Sequence, residues 1–183
     1  MTLSPFQQAL GAQFATLPDV LQQFHTNTGT RVFSGRADIT HGRGAYAALA
    51  IRLAGFPPPG DDVPVTLRVT PTAAGERWDR RFGNHLTCSD LHYEPAQNCI
   101  VERFGRVGCD LSLGVTDHRL NVGVSGARLF GAPLPTAFLP RSESAEWQDD
   151  QGRFRFDIAA YLGRDRLLIR YAGWLLPDAH TAS

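Results

Sequence analysis

The sequence predicts a mainly β protein, an antiparallel meander of about ten strands closed or nearly closed into a barrel. Three observations carry that expectation. From Arg31 onward the hydrophobic period is two, most clearly in "VPVTLRVTP", where Val63, Val65, Leu67 and Val69 alternate with Pro64, Thr66, Arg68 and Thr70. Strand-length segments then recur about every ten residues between turn signals. The connections are short: "EPAQN", "DDQG" and "LGRD" suit hairpins and antiparallel neighbours, not parallel crossovers. With so many strands, closure removes edges that would otherwise template aggregation.

The N-terminal part is predicted helical over 5–25, where Phe6, Leu10, Phe14, Leu17, Leu21 and Phe24 recur at three and four. Ser4 is the expected N-cap, with Pro5 at the first helical position. Pro18 should break the helix, with Asp19 at the restart. The first strand runs from Arg31 to Thr40 and puts Phe33, Ala37 and Ile39 on one side. A short helix, "GAYAALAIRLAGF", is expected to stop at Gly55 and the prolines beyond it. Further strands are predicted at 63–71, 76–82, 85–93, 99–104, 107–116 and 119–130. After the Pro-rich break "GAPLPTAFLP" come 142–149, 153–161 and 165–175.

The chain reads as a single domain over 1–183, with helix 5–25 and barrel 30–176. A helical insert after the first strand, then a meander, resembles the layout of small calycin-type lipid-binding barrels. A helix-grip α+β fold is the alternative. It needs a long C-terminal helix where this sequence has strand and a short tail, "PDAHTAS".

Composition excludes several function classes. The formal net charge is zero, so no global field draws the chain to nucleic acid or anionic lipid, and no nucleic-acid partner is expected. All 18 basic residues are arginine. Without lysine there is no Schiff base, no phosphate-loop lysine and no Ser-Lys dyad. Cys88, Cys99 and Cys109 are odd in number and lack metal-ligand spacing, which predicts neither a disulfide framework nor a zinc site. His25, His41, His85, His92, His118 and His180 form no metal-binding pattern either. Cys88 and His92 share a strand face but lie ~13 Å apart by rise per residue, too far for a nucleophile pair. Cys88 and Cys109 are expected in the core. No cofactor is expected, and with no activated nucleophile the reading leans away from an enzyme. The start "MTLSPFQQALGAQF" has no secretory pattern, and no apolar run is long enough to span a bilayer, so a cytoplasmic location is expected.

The order of motifs resembles an uncharacterised bacterial family, domain-of-unknown-function family 4166. The resemblance rests on "FQQALGAQFATLPDVLQQFH", "FSGRADITHGRG", "LAGFPPPGDDVPVTLRV", "GERWDRRFGN", "VERFG", "AEWQDDQGRFRFDI" and "RYAGWL". It implies no assigned activity. It does imply stand-alone proteins or tails behind dehydrogenase-like domains, hence a dehydrogenase-like protein as one expected partner. The chain itself has no Gly-x-Gly-x-x-Gly after a first strand.

The candidate site comes from strand parity. In "GERWDRRFGN", Glu76, Trp78, Arg80 and Phe82 share one face, and Arg77, Asp79 and Arg81 the other. The all-charged face belongs in water. Arg80 between two buried aromatics needs a carboxylate, because an unpaired buried charge costs several kcal/mol. Glu102 and Glu146 are the expected partners, as an internal ion pair or as neighbours of a ligand site. The expected function is binding of a hydrophobic, lipid-like ligand with an acidic head. Arg80 and Arg170 would meet the head, and Trp78, Phe82, Phe104, Phe154, Phe156 and Trp174 would wall the pocket. In "DRLLIRYAGWL", Leu167, Ile169, Tyr171, Gly173 and Leu175 oppose Leu168, Arg170, Ala172 and Trp174. Both faces are partly apolar, which suits a wall covered outside by the N-terminal helix or by a second copy, so monomer and homodimer both stay open. The segments "GFPPPGDDVP" and "LFGAPLPTAFLP" are expected to close a barrel mouth, line a ligand portal or meet a partner. A protein-interaction module is the alternative function, and an enzyme using a buried Glu/Arg site the third.

Overall fold

The computed structural model describes residues 3–163 and 165–178, so His180, Arg164 of the expected "LGRD" connection and the end of the tail lie outside the described residues. The chain forms a closed, ten-stranded antiparallel β-barrel with helices before its first strand and between its first and second. The helices are α1 (Pro5–Leu10), α2 (Asp19–His25) and α3 (Ala45–Ala54). The strands are β1 (Arg31–His41), β2 (Gly60–Pro71), β3 (Glu76–Phe82), β4 (His85–Glu94), β5 (Cys99–Phe104), β6 (Val107–Thr116) and β7 (Arg119–Leu129). They continue with the short β8 (Ala132–Pro133) and β9 (Pro140–Ser142), then β10 (Ser144–Gln148), β11 (Phe154–Leu162) and β12 (Arg166–Pro177).

Consecutive strands pair from β1 to β7, β12 returns to pair with β1, and β10 bridges β11 and β7 to close the wall. Register shifts after Ala37, Asp110 and Ala160 mark bulges, which add the local twist that closure requires. Between β1 and β12 the strands come close. A Cβ added to Gly173 would lie 2.0 Å from the Arg36 carbonyl oxygen, and one on Gly35 1.8 Å from that of Trp174. Only glycine fits where backbone meets backbone this way.

The predicted helix over 5–25 is three pieces. Ser4 accepts from Gln7 N at 3.1 Å while Gln7 Oε1 accepts from Ser4 N at 2.9 Å, a complete capping box with Pro5 at the first turn. The α-helix ends at Leu10 because Gly11 takes φ 52°, open to glycine and strained for most other residues. A 3-10 stretch over Gly11–Thr16 follows, and α2 restarts at Asp19 after Pro18 as expected.

These helices do not cover the outside of β12. They plug one end of the barrel. Phe24 reaches Phe33 of β1 (ring centroids 4.5 Å), Trp78 of β3 (5.8 Å) and Phe154 of β11 (3.8 Å, nearly parallel). One side chain can touch three well-separated strands only by lying across the interior. Phe6 and Leu21 are buried with it. Burying large apolar side chains here replaces water at the barrel end, each worth about 1.5–3 kcal/mol.

The opposite end is crossed by α3. Gly55 takes the left-handed conformation and ends the helix, as the sequence predicts. Its carbonyl accepts from Thr87 Oγ1 at 3.0 Å and lies 2.9 Å from His85 Nε2. His41 Nε2 sits 2.7 Å from the Pro57 carbonyl. A helix that leaves β1 and is tied to β4 must pass over the rim.

Candidate binding site in the barrel lumen

Between the aromatic plug and α3 lies a cavity of about 390 Å³ lined mainly by apolar side chains. That falls within the range of small-molecule sites, about 300–1,000 Å³. Tyr46 and Leu49 of α3 and Phe138, in the segment between β8 and β9, face the cavity and are also 41%, 46% and 49% exposed. Side chains that touch both cavity and solvent define a mouth. Both Pro-rich segments are therefore at this one end: Phe56 lines the cavity from the first, Leu134 and Phe138 from the second.

Strand parity places β3 as expected. Trp78, Arg80 and Phe82 point inward; Arg77 and Arg81 are exposed, and Arg77 contacts Asp79 and Asp90 outside. Inside, Arg80 Nη2 donates to Glu102 Oε1 at 2.9 Å, and Nη1 donates to Ser89 Oγ at 2.7 Å. Ser89 Oγ in turn donates to the same Glu102 oxygen at 2.7 Å. The guanidinium stacks over Trp78 at 4.7 Å and near Phe104 at 5.8 Å. Of the two carboxylates expected for Arg80, Glu102 is its partner.

Glu146 has another. Its Oε2 lies 2.6 Å from Nε2 of His25, which is fully buried. His25 Nδ1 is buried without a hydrogen-bond partner among the described residues, so the tautomer with the proton on Nε2 leaves a bare acceptor rather than an orphaned donor. Phe6 packs against the imidazole, with ring centroids 3.8 Å apart and the planes tilted by 30°. Glu76 accepts from Arg31 Nη2 at 2.7 Å and from Trp78 Nε1 at 3.0 Å, while Arg31 Nη1 also donates to the Phe24 carbonyl at 2.6 Å. This second buried ion pair ties β1 and β3 to the helical plug.

Trp78, Arg80, Phe82, Glu102 and Phe104 line the cavity, as do Glu146, Phe154 and Phe156. Arg170 and Trp174 do not. They share the opposite parity with exposed faces of β12: Arg170 forms an outer pair with Asp157 at 2.6 Å, and Trp174 lies under the Arg153 guanidinium at 5.0 Å. Parity groups them together, but on a strand apolar on both sides it does not say which group faces inward. Tyr171 faces inward instead, against Phe82 and Phe156. Burial pushes its phenol up to about 12; Arg80 opposes that, and Glu102 and Glu146 add to it. Cys109 also lines the cavity, with its thiol pushed up to about 12 chiefly by burial. Cys88 is not a core residue. It sits on the outer face beside Asp79 and Arg77, one residue out of step with inward-facing Thr87 and Ser89.

The sequence reading missed His25 and Ser89 as parts of the site. Ser89 carried a signal, since it stands opposite Trp78 in a hairpin whose register the turn "GN" fixes. Among the described residues no group of three or more His, Cys, Asp and Glu is placed to hold a metal, and no helix is long and apolar enough to cross a membrane. A family model described as domain of unknown function (DUF4166) matches residues 17–175. No curated protein and no solved structure matches the chain.

Proposed function

We propose, from the premise that this chain belongs to the DUF4166 family of domains of unknown function, that it binds an apolar, lipid-like molecule in its barrel lumen. The single observation behind the reading is the cavity: apolar walls, a few buried polar groups and one rim of exposed apolar side chains. A barrel evolved only for stability fills its interior, since each methylene left unburied forfeits about 0.8 kcal/mol. Trp78, Phe82, Phe104, Phe154 and Phe156 would wall the ligand, and Leu49 and Phe138 would admit it.

Titration with the uncharged fluorophore N-phenyl-1-naphthylamine tests this. Saturable binding of one equivalent is expected, and Leu49→Asp or Phe138→Asp should weaken it while leaving the melting temperature close to that of the parent. A folded protein that shows no saturable binding would sink the proposal. The rim also favours a second reading, an interaction module docking a protein such as a dehydrogenase-like partner. It gains ground if the rim variants lose a partner and the lumen takes up nothing.

A further inference from the structure

The polar inventory of the lumen says which kind of head group a ligand there can carry. Glu102 and Glu146 are each 7% exposed and line the cavity. In each carboxylate one oxygen is engaged: Glu102 Oε1 accepts from Arg80 and Ser89, and Glu146 Oε2 faces His25 Nε2. The other oxygen of each has no hydrogen-bond donor among the described residues. The Tyr171 hydroxyl, which shares the electrostatic surroundings of Arg80, Glu102 and Glu146, also lacks a hydrogen-bond partner among them. These oxygens border the cavity and are not sealed in protein, so their donors must come from what occupies it.

Charge points the same way. Arg80 brings one positive charge to the lumen interior, against one negative charge each on Glu102 and Glu146. Arg128 also borders the cavity but is bound to Asp110, and Arg31 is committed to Glu76. With His25 as the Nε2–H tautomer the interior carries one negative charge in excess. A fatty-acid carboxylate would be a third anion competing with Glu102 for one guanidinium, in surroundings where like charges repel strongly.

Resting on the reading of the lumen as an apolar-ligand site, we infer that the polar end of the ligand is a hydrogen-bond donor, an alcohol or an ammonium, received by the free oxygens of Glu102 and Glu146 with Tyr171 beside them. The acidic head that an unpaired Arg80 would have taken is supplied by the chain itself, as Glu102. Arg80 then serves as a positioning residue that holds the Glu102 carboxylate, and Ser89 fixes which of its oxygens stays open.

Displacement of bound N-phenyl-1-naphthylamine by dodecanol, dodecylamine and dodecanoic acid at neutral pH tests the inference, because the three share a chain and differ only in the head. The alcohol and the amine are expected to displace the fluorophore at concentrations about tenfold or more below the acid, the worth of one charge-assisted hydrogen bond. Glu146→Gln should narrow the gap between amine and acid, and Tyr171→Phe should leave the order unchanged for the amine. Dodecanoic acid displacing at equal or lower concentration than the alcohol and the amine would overturn the inference and leave the lumen proposal standing. Fluorophore binding that none of the three displaces overturns it as well. Failure of the fluorophore to bind at all overturns the lumen proposal, and the inference falls with it.

Discussion

Arg80 shows how burial decides what an ion pair is worth. The Arg80 and Glu102 side chains are 13% and 9% exposed, and the pair is completed by Ser89. Removing one partner strands a buried charge, so Arg80→Ala should lower the unfolding free energy by about 3–5 kcal/mol in denaturant titrations. Arg170 and Asp157 have a shorter contact, 2.6 Å, but are 52% and 29% exposed. Water screens that pair, and Arg170→Ala should cost no more than about 1 kcal/mol. An equal loss for both variants would contradict the placement of Arg80 in the lumen. Glu102 was legible only as one of two candidates, with Glu146, because each lies beside an aromatic residue; it stands on β5, across β4 from Arg80. The contact between His25 and Glu146 was not, since it joins residues 121 apart and depends on where the plug enters.

The same residues set a response to alkali. The Cys109 thiol is raised from 9.0 to about 12 and the Tyr171 phenol from 10.0 to about 12, both first by burial. Above the ordinary value the unfolded chain ionises while the folded one keeps its proton, so the folded state binds more protons and stability falls as pH rises. Stability should therefore decline from about pH 9 for Cys109, and more steeply from about pH 10 once Tyr171 joins, toward pH 12. Tyr171→Phe should flatten the upper part of that decline and Cys109→Ala the lower part. Unchanged slopes in urea titrations across this range would contradict the burial of both groups.

At the scale of elements, helix content in this fold serves the two barrel ends. Phe24 joins α2 to β1, β3 and β11 through stacked and edge contacts. Phe24→Ala should cost about 3–5 kcal/mol, read by thermal or denaturant unfolding, since it removes a fully packed ring and opens the plug. A loss below 1 kcal/mol, on the scale of an exposed substitution, would mean that α2 does not close the end. Strand positions were legible to within a few residues because turn-forming Gly, Asn and Asp punctuate an alternating pattern. The place of the N-terminal helices was not. An amphipathic stripe says that a face is buried, and it buries equally well against the outside of a wall or across its end. Gly11 likewise reads as a tolerable helix residue until its φ of 52° shows the α-helix stopping there.

On the scale of the whole molecule, closure and the cavity belong together. The sequence announced closure, through strand number and the short connections between them. It could not announce whether the interior is filled, because inward aromatics such as Phe82 and Phe156 pack a solid core or wall a hollow one with the same alternation. Ligand uptake by the hollow, as proposed, can be tested by filling it. Val124 of β7 faces into it, so Val124→Trp places an indole where the ligand would lie. Native mass spectrometry of the parent and of Val124→Trp after incubation with dodecanol is the most direct measurement. One bound dodecanol is expected on the parent and none on the filled variant, with both proteins folded. Equal binding to both, or none to either, would contradict it.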